Sequence, residues 1–202
     1  MKTAILTAAL AITAILGISR SAYAAIGEKA EVSTTLTGIS NISEIEVHGN
    51  VQLYLTTGND EKVKVYNNYY AEDALVQEQD GVLRITSYTA EKLVVWVTVS
   101  DLSKLSVFDN AKVTSFGKFS AIDLDVNLYN HGVAQLNMDA FSASISLNDR
   151  SGADLSGVVV SGTVQLNRSS YLNTANLAAE NMVKTIKFEQ AKCDRHNVLA
   201  SL

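Results

Sequence analysis

Residues 145–155 read ISLNDRSGADL. An apolar–polar–apolar triplet (Ile145, Ser146, Leu147) runs into polar turn formers, and a second apolar trace follows at Ala153 and Leu155. The same signature recurs as LSVFDNAKV at 105–113, VNLYNHGVA at 126–134, VQLNRSSYL at 164–172 and IKFEQAKC at 186–193. Shorter versions begin at Ile45 (IEV), Val63 (VKV) and Leu83 (LRI). The eight starts are separated by 18, 20, 22, 21, 19, 19 and 22 residues, and the middle residue of each triplet is polar.

Side chains on a strand alternate between faces, so the first and third residues of each triplet share one side. A single coil with that pattern cannot bury its apolar row, whereas stacked coils lay each row over the next. The period predicts an all-β fold, a single-stranded parallel β-helix (solenoid) of about eight coils of ~20 residues. At the strand spacing of ~4.8 Å such a rod is ~35–40 Å long. Asn, Gly, Ser and Asp would turn the corners. The absence of proline agrees, since proline cannot donate to a sheet ladder. The expected inward pairs run from Ile45/Val47 and Val63/Val65 to Val164/Leu166 and Ile186/Phe188. A second inward row would hold Leu53, Val95, Val113, Leu136, Leu155 and Leu172, with Trp96 on the opposite face. HGN at 48–50 and TGND at 57–60 are hairpin signals, so residues 45–65 would form a hairpin capping the rod. Short strands at regular spacing also suit an antiparallel sandwich.

The 202 residues are 47% hydrophobic and 18% charged, enough for one domain with a real core. Residues 1–24 read as a signal peptide: Lys2, an uncharged apolar run from Ala4 to Gly17, and Ala22-Tyr23-Ala24 as a cleavage signal. The run is too short to span a bilayer, so no membrane span is expected after cleavage. Residues 25–202 would be the single mature domain. Losing Lys2 and Arg20, the only charges of residues 1–24, takes the net charge from −5 to −7. That balance argues against a nucleic-acid partner. One cysteine, Cys193, leaves no internal disulfide to staple an exported chain.

ISEIEVHGNVQLYLTTGNDEKVKVYNN, then DGVLRIT, then VVWVTVSDLSKLSVFDNAKV, resemble the putative auto-transporter adhesin, head GIN domain family. The order of a glycine-centred turn, a DG-x-L-x-I strand, a valine-rich strand and L-x-x-L-x-V carries the resemblance over about residues 39–190. It implies a β-helical, exported bacterial protein of adhesin-like character, and it brings no catalytic residues with it.

Candidate chemistry is sparse. His48, His131 and His196 are scattered, whereas a zinc site needs three or four convergent ligands, so no metal or cofactor is expected. YNNYY at 66–70 combines aromatic faces with amides: Tyr66, Asn67, Asn68, Tyr69 and Tyr70 are the binding candidates, suited to a sugar or a protein partner. Asp109, Asn130, Asp149 and Arg168 share one position of the repeat and would form a surface column. Phe108 and Tyr129, one position earlier, would make an aromatic step, with Asn148 and Asn167 continuing it as an asparagine ladder. The reading is a non-enzymatic, adhesin-like protein of the periplasm or cell surface that contacts a glycan or an envelope protein. A polysaccharide lyase or hydrolase using Asp149, and a structural module assembling end to end, are the alternatives.

Overall fold

The computed structural model describes residues 33–66 and 74–187. The segment read as a signal peptide, Asn67–Tyr70 of the tyrosine cluster, Phe188, Cys193 and His196 lie outside the described residues. No described helix is long and apolar enough to cross a membrane.

Thirteen strands form one mixed sheet, curled as a half-barrel around an apolar core. They are β1 (Ser33–Leu36), β2 (Glu44–His48), β3 (Val51–Thr57), β4 (Lys62–Tyr66), β5 (Ala74–Gln79), β6 (Val82–Ser87) and β7 (Leu93–Val99). Then come β8 (Lys104–Val107), β9 (Lys112–Ser115), β10 (Phe119–Leu128), β11 (Val133–Leu147), β12 (Gly152–Asn167) and β13 (Tyr171–Lys187). Eleven follow one path, β1-β4-β7-β3-β9-β11-β10-β8-β2-β6-β5, and β12 and β13 join through β11.

This overturns the single-stranded parallel β-helix. The β1–β4, β4–β7 and β5–β6 pairs are antiparallel, and the spatial order is not the sequence order. The reason lies in the N-terminal half. Val63 carries the repeat signature, yet it pairs antiparallel with Val97, and Ile45 lies between Leu83 and Leu105. An apolar–polar–apolar triplet specifies a half-buried strand but neither its direction nor its neighbour. The capping hairpin is overturned as well. β2 and β3 do not pair with each other: β2 lies between β6 and β8, and β3 between β7 and β9.

Two in-register rows form the core. One runs Leu83, Ile45, Leu105, Val126, Ile145, Val164 across six strands. The other runs Val95, Leu53, Val113, Ala134, Ala153, Leu172. Both belong to one apolar cluster, in which every member of the first row is at most 1% exposed. Each fully buried aliphatic side chain contributes ~1.5–3 kcal/mol. At β13 the expected register is off by two residues. Val164 meets Lys184, and Ile186 lies beside Leu166.

Candidate functional site

The outer face of β4, β7, β3 and β9 holds an aromatic group. Alternation buries Val95 and Val97 and turns Trp96 outward, half-buried. The same rule turns Tyr54 outward between Leu53 and Leu55. Parallel pairing sets Tyr54 directly beside Trp96, rings 4.6 Å apart and 28° from parallel. Phe116, just past β9, sits 5.3 Å from Trp96 and is exposed. On the other flank, antiparallel β4 places Lys64 opposite Trp96 and Lys62 opposite Thr98. Lys62, Lys64, Tyr66, Trp96 and Thr98 line a shallow depression of about 340 Å³.

A half-buried aromatic group with ammonium groups beside it can meet the apolar side of a ligand and bond its polar substituents. Tyr66, the one described member of the YNNYY candidate, lies on this face. Sequence reasoning set Trp96 outward but missed its partners. Tyr54 and Lys64 are distant in the chain, and only strand order brings them together.

The surface column is assembled in part. The β2–β3, β8–β9, β10–β11 and β11–β12 junctions turn at Gly49, Asp109, Asn130 and Asp149, all left-handed, with φ of 81°, 59°, 57° and 57°. Asn and Asp tolerate this conformation better than other side-chain-bearing residues. Their side chains tie successive turns together. Asn130 Nδ2 donates to Asp109 Oδ1 at 3.0 Å, and the Asn130 N–H donates to Asp149 Oδ2 at 3.1 Å. The Gly49 N–H donates to Asp109 Oδ2 at 3.3 Å. Arg168 is not left-handed; its N–H donates to Asn167 Oδ1. One residue earlier, His48, Phe108 and Tyr129 stack with centroids 4.2 and 4.7 Å apart and rings within 4° of parallel. Asn148 does not continue this as an amide ladder with Asn167. Its Nδ2 donates to the Leu128 carbonyl. His131 lines the open depression over the column, and no cluster of three metal-ligating side chains occurs among the described residues.

Residues 41–187 match the model of a family described as "Putative auto-transporter adhesin, head GIN domain". No match to the chain was found among curated proteins. Among solved structures, a "putative adhesin" from Parabacteroides distasonis ATCC 8503 is 16% identical, with 77% of each chain covered and a TM-score of 0.57. A "putative lipid binding protein" from the same organism is 11% identical, covering 77% of this chain and 78% of its own, at a TM-score of 0.58. A "putative adhesin" from Parabacteroides merdae ATCC 43184 is 14% identical over 77% of each chain, at a TM-score of 0.53. At such identities the likeness is one of fold.

Proposed function

Because the chain belongs to the putative auto-transporter adhesin, head GIN domain family, we propose that it is exported and acts without catalysis, as an adhesin-like protein that contacts a glycan. The signal-like residues 1–24 support export. The observation that carries the reading is the outer face on which Trp96 packs against Tyr54 with Lys64 beside it. Sugars present C–H faces that stack on such rings and hydroxyls that bond at their rim. The column carboxylates do not resemble a paired catalytic set, since Asp109 and Asp149 accept backbone N–H groups at the turns.

A glycan array tests this on residues 25–202 and on Trp96→Ala. The expected result is binding to a limited set of glycans that the substitution abolishes, with the thermal melt unchanged. Array binding that Trp96→Ala leaves intact, or turnover of a glycan that Asp149→Ala abolishes, contradicts it.

A further inference from the structure

We propose that the ligand of the Trp96 face is an acidic saccharide, one bearing carboxylate or sulfate groups along its chain. This inference rests on the glycan reading above and specifies its chemistry.

Charge is segregated on the sheet. The chain is acidic as a whole, at −5. Yet β1, β4, β7, β3 and β9 contain no Asp or Glu at all, while their outward positions carry Lys62, Lys64 and Lys112. Lys64 stands opposite Trp96, and Lys112 stands opposite Gln52, two residues before Tyr54. The lysines therefore bracket the aromatic pair on both sides.

Three basic residues elsewhere are neutralised by neighbours, whereas Lys92, Arg150, Lys184 and Lys187 have no such ion pair among the described residues. Arg84 pairs with Glu46 at 3.0 Å, Lys104 with Glu44 at 3.1 Å and Lys118 with Asp139 at 2.8 Å. Among the described residues, none of the three lysines of the aromatic face has such a partner. A cationic set of strands without carboxylates of their own, on an acidic protein, attracts anions.

The aromatic floor selects among anions. Trp96 and Tyr54 are half-buried rings stacked on each other across neighbouring strands, an apolar surface for the C–H faces of sugar rings. A membrane surface would call for several protruding apolar side chains. Among the described residues of this face only Phe116 is largely exposed, and anionic lipid is the less favoured occupant. Lys62 and Lys64 lie two residues apart on β4 and Lys112 lies three strands away on β9, ~14 Å at the strand spacing of ~4.8 Å, a spread that suits a polymer with repeated anionic groups.

The test is calorimetric titration of residues 25–202 with matched acidic and neutral polymers: polygalacturonate and its methyl ester, hyaluronate and its methyl ester, dextran sulfate and dextran. Phosphatidylglycerol vesicles form a separate arm. At least one acidic polymer is expected to bind about tenfold or more tightly than its neutral partner at low salt, with the difference shrinking as salt rises. Lys62→Gln/Lys64→Gln should bring its affinity close to that of the neutral form. Lys118→Gln, which removes an equal type of charge elsewhere, should leave it unchanged. Trp96→Ala should abolish binding of both forms, and all variants should melt as the parent does.

Equal binding of acidic and neutral forms, unmoved by the lysine substitutions but lost in Trp96→Ala, overturns the acidic specificity and leaves the glycan reading standing. Equal losses in Lys62→Gln/Lys64→Gln and Lys118→Gln overturn it as general charge attraction. Binding to the vesicles with none to any polymer overturns both readings.

Discussion

Gly157 lies inside β12 at φ 101°, opposite Met138 of β11 and Leu177 of β13. A Cβ added there would run into the Met138 carbonyl oxygen, a backbone atom that two sheet ladders hold in place. Gly157→Ala therefore combines a left-handed penalty with an unrelieved clash. A loss of at least ~2 kcal/mol is expected, read as a lowered denaturant midpoint. Ser151 presents the opposite case. It is fully buried and its Oγ has no hydrogen-bond partner among the described residues. Ser151→Ala removes an unpaired hydroxyl without opening a large void and should raise stability by ~1 kcal/mol in the same measurement. Glu61 is a charged tie. Burial works against its charge, but the Ser100 hydroxyl (2.7 Å), the Ser100 N–H and the Ile42 N–H donate to it and hold its carboxyl below the usual carboxylate value. A depressed native pKa gives stability that is present above the unfolded value and is lost as pH falls through the native one. The melting temperature of the parent should thus exceed that of Glu61→Gln at pH 7, and the gap should close from about pH 5 downwards. A gap constant with pH would contradict the assignment.

At the scale of elements, the turn residues and the strand faces were legible in the sequence, and the strand partners only over 105–172. The repeat in 105–172 set Val126, Ile145 and Val164 side by side because each strand there is followed by a turn of similar length. Asp109, Asn130 and Asp149 were identifiable as corners because short polar residues are the ones that accept positive φ. In residues 45–100 the same triplets led elsewhere. β4 runs antiparallel to β7, and nothing in VKV distinguishes a parallel neighbour from an antiparallel one. The turn column can be tested at Asn130. Asn130→Ala loses both the amide bond to Asp109 and the tolerance of φ 57°, whereas Asn130→Gly loses only the bond. Alanine should cost ~1–2 kcal/mol and glycine distinctly less. One edge strand, β13, turns polar where its inner neighbour is aliphatic, with Lys184 beside Val164. A charge at an inward register position blunts a sheet edge against further pairing. Lys184→Val should promote self-association, seen as a rise in mass by light scattering with increasing concentration.

At the scale of the whole molecule, a curled sheet separates two kinds of surface. One carries acidic and basic residues side by side, some in pairs such as Arg84 with Glu46 and Lys104 with Glu44. The other carries unpaired lysines around stacked rings. The functional face was the least legible part. Tyr54, Lys64 and Trp96 occupy ordinary outward slots of three separate strands, and their chemistry exists only once β4, β7 and β3 lie side by side. YNNYY attracted notice because its aromatics are contiguous, yet of those five residues only Tyr66 is described, at the rim of the Trp96 depression. Trp96 is the only tryptophan of the chain, so its intrinsic emission reports this face alone. The most direct measurement is a fluorescence titration of residues 25–202 with a saccharide that binds in calorimetry. Saturable quenching or a shift of the emission maximum, with the same midpoint as the heat signal, is the predicted result. Binding that saturates while the Trp96 emission stays unchanged would contradict the account.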